Sequence, residues 1–352
     1  MNPTTPIMFP TVTHTTTLDC EPSQFILPDL INDCHYALRK NPHCYAVSRA
    51  SDQWLIDVAR LTGHELREYI EMDSGTFVAF LYPDADAFHL RVCCDFINWI
   101  FVIDDWMENG VVDAREAREC YISALRDPIN FNTEQLGANM CKSFFSRFRE
   151  TAGPGCTERF IHGSETFFAA AAKQVDDRAK GNMYDLKSYI ALRRDVVGMQ
   201  SCLALIEFVA GIDLPDEVMS HPVVKSLECA TTDHVAWNDD ILSYNKEQSR
   251  GDEHWENMVA VLMHDRGLDL QGAMDYTGQM CKDAIRRFES NHAILPSWGE
   301  EVDRQMAIYV KGMQNWMIGS LHWHFESARY FGKDGHAVKH DRIVKLLPKR
   351  LL

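Results

Sequence analysis

Residues 92–108 read VCCDFINWIFVIDDWME. From Phe96 to Ile103 every residue except Asn98 is apolar, and Asp104, Asp105 and Glu108 follow at once. A helix that is apolar nearly all round is surrounded by other helices rather than laid on a surface. This stretch therefore predicts a buried helix whose tip carries three acids. Asp104 and Glu108 stand four residues apart and share a face. Carboxylates gathered at such a tip repel one another unless water solvates them or a cation sits between them. Composition alone produces an acid triplet in this frame about once in a chain of this length, so position, not pattern, gives the cluster its weight.

Outward from this segment, Ala169–Ala172 and the run 202–210 (CLALIEFVA) are also apolar on all sides. Three stretches, 84–127, 155–214 and 223–295, contain no proline. Proline costs about 3 kcal/mol inside a helix, so its absence permits long ones. Helices are predicted over 27–40, 44–62, 64–72, 84–109, 112–125, 132–151, 155–177, 185–211, 216–249, 255–264, 268–292 and 298–331. Alternating apolar runs joined by hairpin turns are largely missing, and no repeat or low-complexity linker divides the chain. The expectation is an all-α fold in a single domain over 21–335. A loose Thr- and Pro-rich arm (1–20) precedes it and a basic surface tail (336–352) follows.

The 352 residues are 46% hydrophobic and carry a net charge of −16. That is too apolar for disorder, and the charge disfavours nucleic acid and anionic membranes as partners. A phosphate-bearing ligand must then be held by a local basic cluster or by metal ions. The eleven cysteines form no CxxC pair and cannot all pair within the chain, which fits reduced thiols in a cytoplasmic protein. No window approaches the ~18 apolar residues of a membrane span, and the first residues lack the basic and apolar regions of a secretory leader.

Three further groups carry chemistry. Asp239, Ser243 and Glu247 lie on one helical stripe, an oxygen-only set suited to a hard cation such as Mg²⁺, and Lys246 adds a positive charge beside them. Arg193 and Arg194 enter an apolar helix, where burial demands anionic partners, and Gly198 is expected to break that helix. Arg329-Tyr330 closes the aromatic run WMIGSLHWHFESARYF (316–331) and offers a guanidinium fork and a phenol to phosphate oxygens. Phosphate-binding glycine loops, zinc-protease motifs and EF-hand loops are missing.

In their order and spacing these groups resemble the class I terpene synthase family, most closely its fungal sesquiterpene synthases. Asp104-Asp105-x-x-Glu108 is similar to the aspartate-rich motif, with Glu where Asp is commoner. Asp239-Asp240-x-x-Ser243-x-x-x-Glu247 matches the second motif, [N/D]-D-x-x-[S/T]-x-x-x-E, with Asp239 where many members have Asn. The resemblance implies a helical bundle around a central apolar cavity. It implies Asp104, Asp239, Ser243 and Glu247 as ligands to three Mg²⁺ (Mn²⁺ as substitute), with Asp105 and Glu108 belonging to the catalytic acid cluster. Arg194 corresponds to the diphosphate sensor, with Arg193 as the alternative if the helix phase differs, and Gly198 to the effector glycine. Lys246, Arg329 and Tyr330 are implied as diphosphate contacts, and Phe77, Phe101, Trp316 and Trp323 are expected to line the pocket. The implied reaction is ionisation and cyclisation of farnesyl diphosphate to a sesquiterpene by a monomer or homodimer. The competing readings are a chain-elongating prenyltransferase, a metal-dependent phosphohydrolase and a non-catalytic helical scaffold.

Overall fold

The computed structural model describes residues 23–251 and 256–349, so the arm 1–20 lies outside the described residues. The first half comprises β1 (Gln24–Ile26), α1 (Leu30–Asp33), α2 (Cys44–Ala59), α3 (Gly63–Met72), α4 (Ser74–Leu81), α5 (Ala87–Glu108), α6 (Ala114–Arg126), α7 (Leu136–Thr151) and α8 (Pro154–Ala179). The second comprises α9 (Leu186–Val196), α10 (Met199–Ala210), α11 (Asp216–Met219), α12 (Pro222–Gln248), α13 (Met258–Arg266), α14 (Leu270–His292), α15 (Glu300–Glu326), α16 (Ala328–Phe331), α17 (Gly335–Asp341) and β2 (Ile343–Lys345).

The segment that decides the fold sits where its apolarity places it. Along α5, Leu90, Val92, Cys93, Cys94, Phe96, Ile97, Trp99, Val102 and Ile103 are all buried. Phe96 and Trp99 pack edge-on or tilted against Phe144 of α7, and Phe96 also meets Phe160 of α8. Each large apolar side chain removed from water contributes roughly 1.5–3 kcal/mol, so this aromatic layer fixes α5 between its neighbours. The one charge inside the layer, Asp95, is fully buried and accepts from Arg91 Nε (2.8 Å), Arg147 Nη2 (2.7 Å) and Ser51 Oγ (2.5 Å). A buried carboxylate so paired is tolerated, and it ties α2 and α7 to α5.

Several expected helices are divided. The run 185–211 breaks at Gly198, which takes φ +70° between α9 and α10. The run 216–249 breaks before Pro222, which starts α12 because the first helical position needs no amide hydrogen. The run 298–331 breaks at Ser327, whose hydroxyl accepts from Arg329 N at 3.1 Å and caps α16. Of 27–40 only Leu30–Asp33 is helical. The rest is held by side chains, with Tyr36 Oη donating to Glu289 at 2.5 Å. A helix the pattern does not signal, α4, fills 74–81. All eight of its residues are buried, so it shows no polar face to set a period, and the Asp73 side chain caps it.

Of the expected surface tail 336–352, the described part, 336–349, is tied to the bundle. After α17, β2 pairs antiparallel with β1 in the register Gln24↔Lys345, Phe25↔Val344, Ile26↔Ile343. Phe25 and Val344 point inward at 3% exposure each, and the pair packs on α14.

Candidate active site

Parts of α4, α5, α8, α9, α10, α12, α15 and α16 enclose an apolar cavity of about 170 Å³. Phe77, Phe101, Trp316 and Trp323 all line it. Phe77 stacks on Trp323 at 4.2 Å and meets Trp316 edge-on at 5.8 Å. Trp323 Nε1 donates to Met72 O at 2.9 Å, which fixes the plane of its ring. Phe167, Ile97, Ile100, Met199 and Val235 complete the wall; no motif marks them, because apolar helical residues look alike in sequence.

Directly above lies a polar mouth of about 160 Å³, lined by Asp104, Asp105, Glu108, Asp239, Ser243, Lys246, Glu247, Arg329 and Tyr330 together with Arg193. Phe101, Asp104, Arg193, Val196, Asp239 and Tyr330 line both spaces, so the two are continuous. Acids from α5 and α12 therefore face one hollow.

The electrostatics of the mouth follow from crowding. Burial, Glu108 and Asp105 push the Asp104 carboxyl well above its ordinary range, against the pull of Arg329 and Arg193. Burial together with Asp239 and Asp240 raises Glu247 to about 7. Burial together with Arg329 and Arg250 brings the Lys246 ammonium down to about 7. At Asp239, burial acts upward, but His324 and Arg193 outweigh it and hold the carboxyl below its usual value. A cation placed among these acids would relieve their repulsion.

Two acids of the motifs are engaged elsewhere. Asp105 Oδ2 accepts from Tyr69 Oη at 2.7 Å and its Oδ1 lies 3.8 Å from Arg329, which braces α3 to α16. Asp240, one step round α12 from Asp239, is buried and accepts from Tyr189 Oη (2.7 Å), Arg193 Nε (2.9 Å) and Met258 N (2.9 Å). Glu108 lies 3.8 Å from Arg178 and 3.7 Å from Arg250, two mouth arginines outside every motif.

One assignment is corrected. Arg194 does not reach the mouth; its Nε and Nη2 donate to Asp233 at 2.7 and 2.8 Å on the far side of α9. Arg193 faces the site, donating to Asp239 at 2.5 Å as well as to Asp240. Gly198 lines the cavity two residues beyond the end of α9. A β-carbon there would stand 3.4 Å from the Phe167 ring.

Whether the residues fit a hard divalent cation is decided by their donors. Ser243 Oγ is buried and makes no well-formed hydrogen bond, although it lies near enough to Glu247 to favour the carboxylate slightly. A buried hydroxyl left in this state beside the Glu247 carboxylate is a donor set that fits a hard cation. Among the described residues no three His, Cys, Asp or Glu side chains converge to hold a cation by themselves. The fit therefore depends on Ser243 and on oxygens brought by a substrate, which is how Mg²⁺ is usually shared.

A family described as "Terpene synthase family 2, C-terminal metal binding" matches residues 95–287, the span from α5 to α14 that carries both acid motifs. The chain belongs to the terpene synthase family. Sesquiterpene synthase Agr1 of Cyclocybe aegerita is 43% identical to this terpene synthase over 94% of its chain and 95% of the relative's. Alpha-muurolene synthase of Coprinopsis cinerea is 39% identical over 94% and 80%. Among solved structures, an α-eudesmol synthase superposes on the terpene synthase with a TM-score of 0.76 at 21% identity, covering 83% of this chain and 98% of that one. That likeness speaks for the fold. No helix among the described residues is long and apolar enough to cross a membrane.

Proposed function

We propose that this terpene synthase is a sesquiterpene cyclase that ionises farnesyl diphosphate and closes the resulting cation into a ring, releasing diphosphate. The observation that carries the reading is the continuity of the acidic and basic mouth with the aromatic cavity below it. The names of the curated relatives, sesquiterpene synthases among them, support a C15 substrate.

Asp104, Asp239, Ser243 and Glu247 would hold Mg²⁺, three ions by resemblance to the family, with Mn²⁺ as a substitute. When bound, the metal supplies Lewis-acid stabilisation to the departing diphosphate. Arg193, Lys246 and Arg329 add charged donors, and Tyr330 a neutral one, aimed at the oxygens that gain charge as the C–O bond breaks. Asp240 and Tyr189 hold the Arg193 fork from behind, so its orientation is set before substrate arrives. The prenyl chain then lies among Phe77, Phe101, Trp316 and Trp323. An aromatic face stabilises a passing cation by about 0.5–2 kcal/mol without supplying a nucleophile, and the dry wall keeps water away from it.

The test is incubation of the protein with farnesyl diphosphate and Mg²⁺, with gas chromatography of the extract. A volatile sesquiterpene hydrocarbon or alcohol, lost on chelation and in Asp239→Ala, is the expected result. No volatile product, or consumption of added isopentenyl diphosphate, removes the reading.

A further inference from the structure

His324 belongs to no motif, yet it stands where the cavity meets the mouth. It is 2% exposed, lines the cavity and sits between two rings, 4.5 Å from Tyr330 and 5.0 Å from Trp323. Its Nδ1 is 2.7 Å from Ser320 O, one turn back on α15, and its Nε2 is 3.0 Å from Asp239 Oδ1. A carbonyl oxygen only accepts, so Nδ1 carries a hydrogen. The ring's Nε2 faces the Asp239 carboxylate oxygen at hydrogen-bond distance, so both ring nitrogens meet oxygen atoms. The other carboxylate oxygen, Oδ2, accepts from Arg193 at 2.5 Å, so both oxygens of Asp239 are fixed by protein donors.

Asp239 occupies the first place of [N/D]-D-x-x-[S/T]-x-x-x-E, where an asparagine is neutral and an aspartate is not. We propose that His324 is a positioning residue for this second metal motif. It holds the Asp239 carboxylate in the orientation that faces the mouth. The carboxylate thus meets a cation in a fixed direction. The inference rests on the metal reading above and adds a residue from α15, 85 positions away in sequence.

The experiment titrates Mg²⁺ into the full chain at fixed inorganic diphosphate and reads the rise in melting temperature, so it needs no turnover. Partners that orient a metal ligand typically contribute 10–100-fold in metal affinity. His324→Leu is expected to raise the half-saturating Mg²⁺ concentration about tenfold or more, and His324→Gln, which keeps a neutral donor, to recover part of the loss. The effect of His324→Leu is expected to be smaller in an Asp239→Asn background, because the histidine acts through Asp239. Half-saturation in His324→Leu at or below about twice the parent's, or additive effects of the two substitutions, overturns the inference. If His324→Leu does not fold, the same comparison is made with Asp239→Asn, His324→Gln and their double variant, where additivity again overturns it. A parent protein whose melting temperature does not respond to Mg²⁺ with diphosphate overturns the metal reading and this inference together; failure confined to the variants overturns this inference alone.

Discussion

Arg193 and Arg194 are neighbours in sequence and leave α9 on different sides, the first grasping Asp239 and Asp240 at the mouth, the second grasping Asp233 behind it. One residue turns a helix by about 100°, which is enough to send adjacent side chains into separate environments. Arg193→Lys keeps a charge but loses the planar fork, so turnover of farnesyl diphosphate should fall at least tenfold. Arg194→Ala should keep turnover within about twofold and cost about 1 kcal/mol of stability or less. Asp233 retains Arg287 as a partner, and the Arg194 side chain is 39% exposed, so the pair is screened. Steady-state kinetics beside a thermal melt separates the two; equal losses in both variants would refute the assignment.

Gly198 has φ +70°, a conformation that costs an L-residue roughly 1–2 kcal/mol. Gly198→Ala should lower the melting temperature by a few degrees and press its methyl group toward Phe167, 3.4 Å away. Because that ring forms part of the cavity wall, the product ratio on gas chromatography should shift as well. An unchanged ratio with an unchanged melt would show that the break tolerates a β-carbon.

Phe77→Ala removes a ring stacked at 4.2 Å on Trp323 and in edge contact with Trp316. The expected loss is about 3–5 kcal/mol of stability, together with a wider cavity. Less tightly folded prenyl cations should then be released earlier, raising the share of acyclic or singly cyclised products. Retention of the parent's product profile would place Phe77 outside the reacting space.

Burial brings the His234 imidazole down from 6.5 to about 3. Between those values the unfolded chain binds a proton that the folded one does not. Stability from this residue is therefore complete above pH 6.5 and declines as pH falls, by up to about 1.4 kcal/mol per unit. Melting temperatures recorded from pH 7 to about 4.5 should drop less steeply in His234→Gln than in the parent. Parallel slopes would mean that His234 is not protonated on unfolding.

Much of the site is legible in sequence because helical spacing is rigid. Asp239, Ser243 and Glu247 share a stripe wherever a helix forms, and the apolar run before Asp104 dictates that its tip is reached from inside the bundle. The choice between Arg193 and Arg194 is different in kind, since it depends on the phase of α9, which ends two residues short of a left-handed glycine. His324 was hidden because its meaning lies in a contact with Asp239 that no local pattern encodes. The helix α4 lacked a signal because all of its faces are buried, and the strands β1 and β2 because three residues each carry too short an alternation. Their pairing also spans almost the whole chain.

That pairing brings Ser23 O within 3.1 Å of Leu346 N, while Asn245 and Gln248 bind the backbone of Lys345 and Leu347. The first and last described strands thus exit together, within a turn of Lys246 and Glu247. A partner fused directly at residue 23 or residue 347 would sit within a turn of α12 from Lys246 and Glu247. Bridging residues 347 and 23 with a short linker and reopening the chain at the exposed Ile129–Asn130 would give a circular permutant that preserves the bundle and moves both attachment points away from that strand pair.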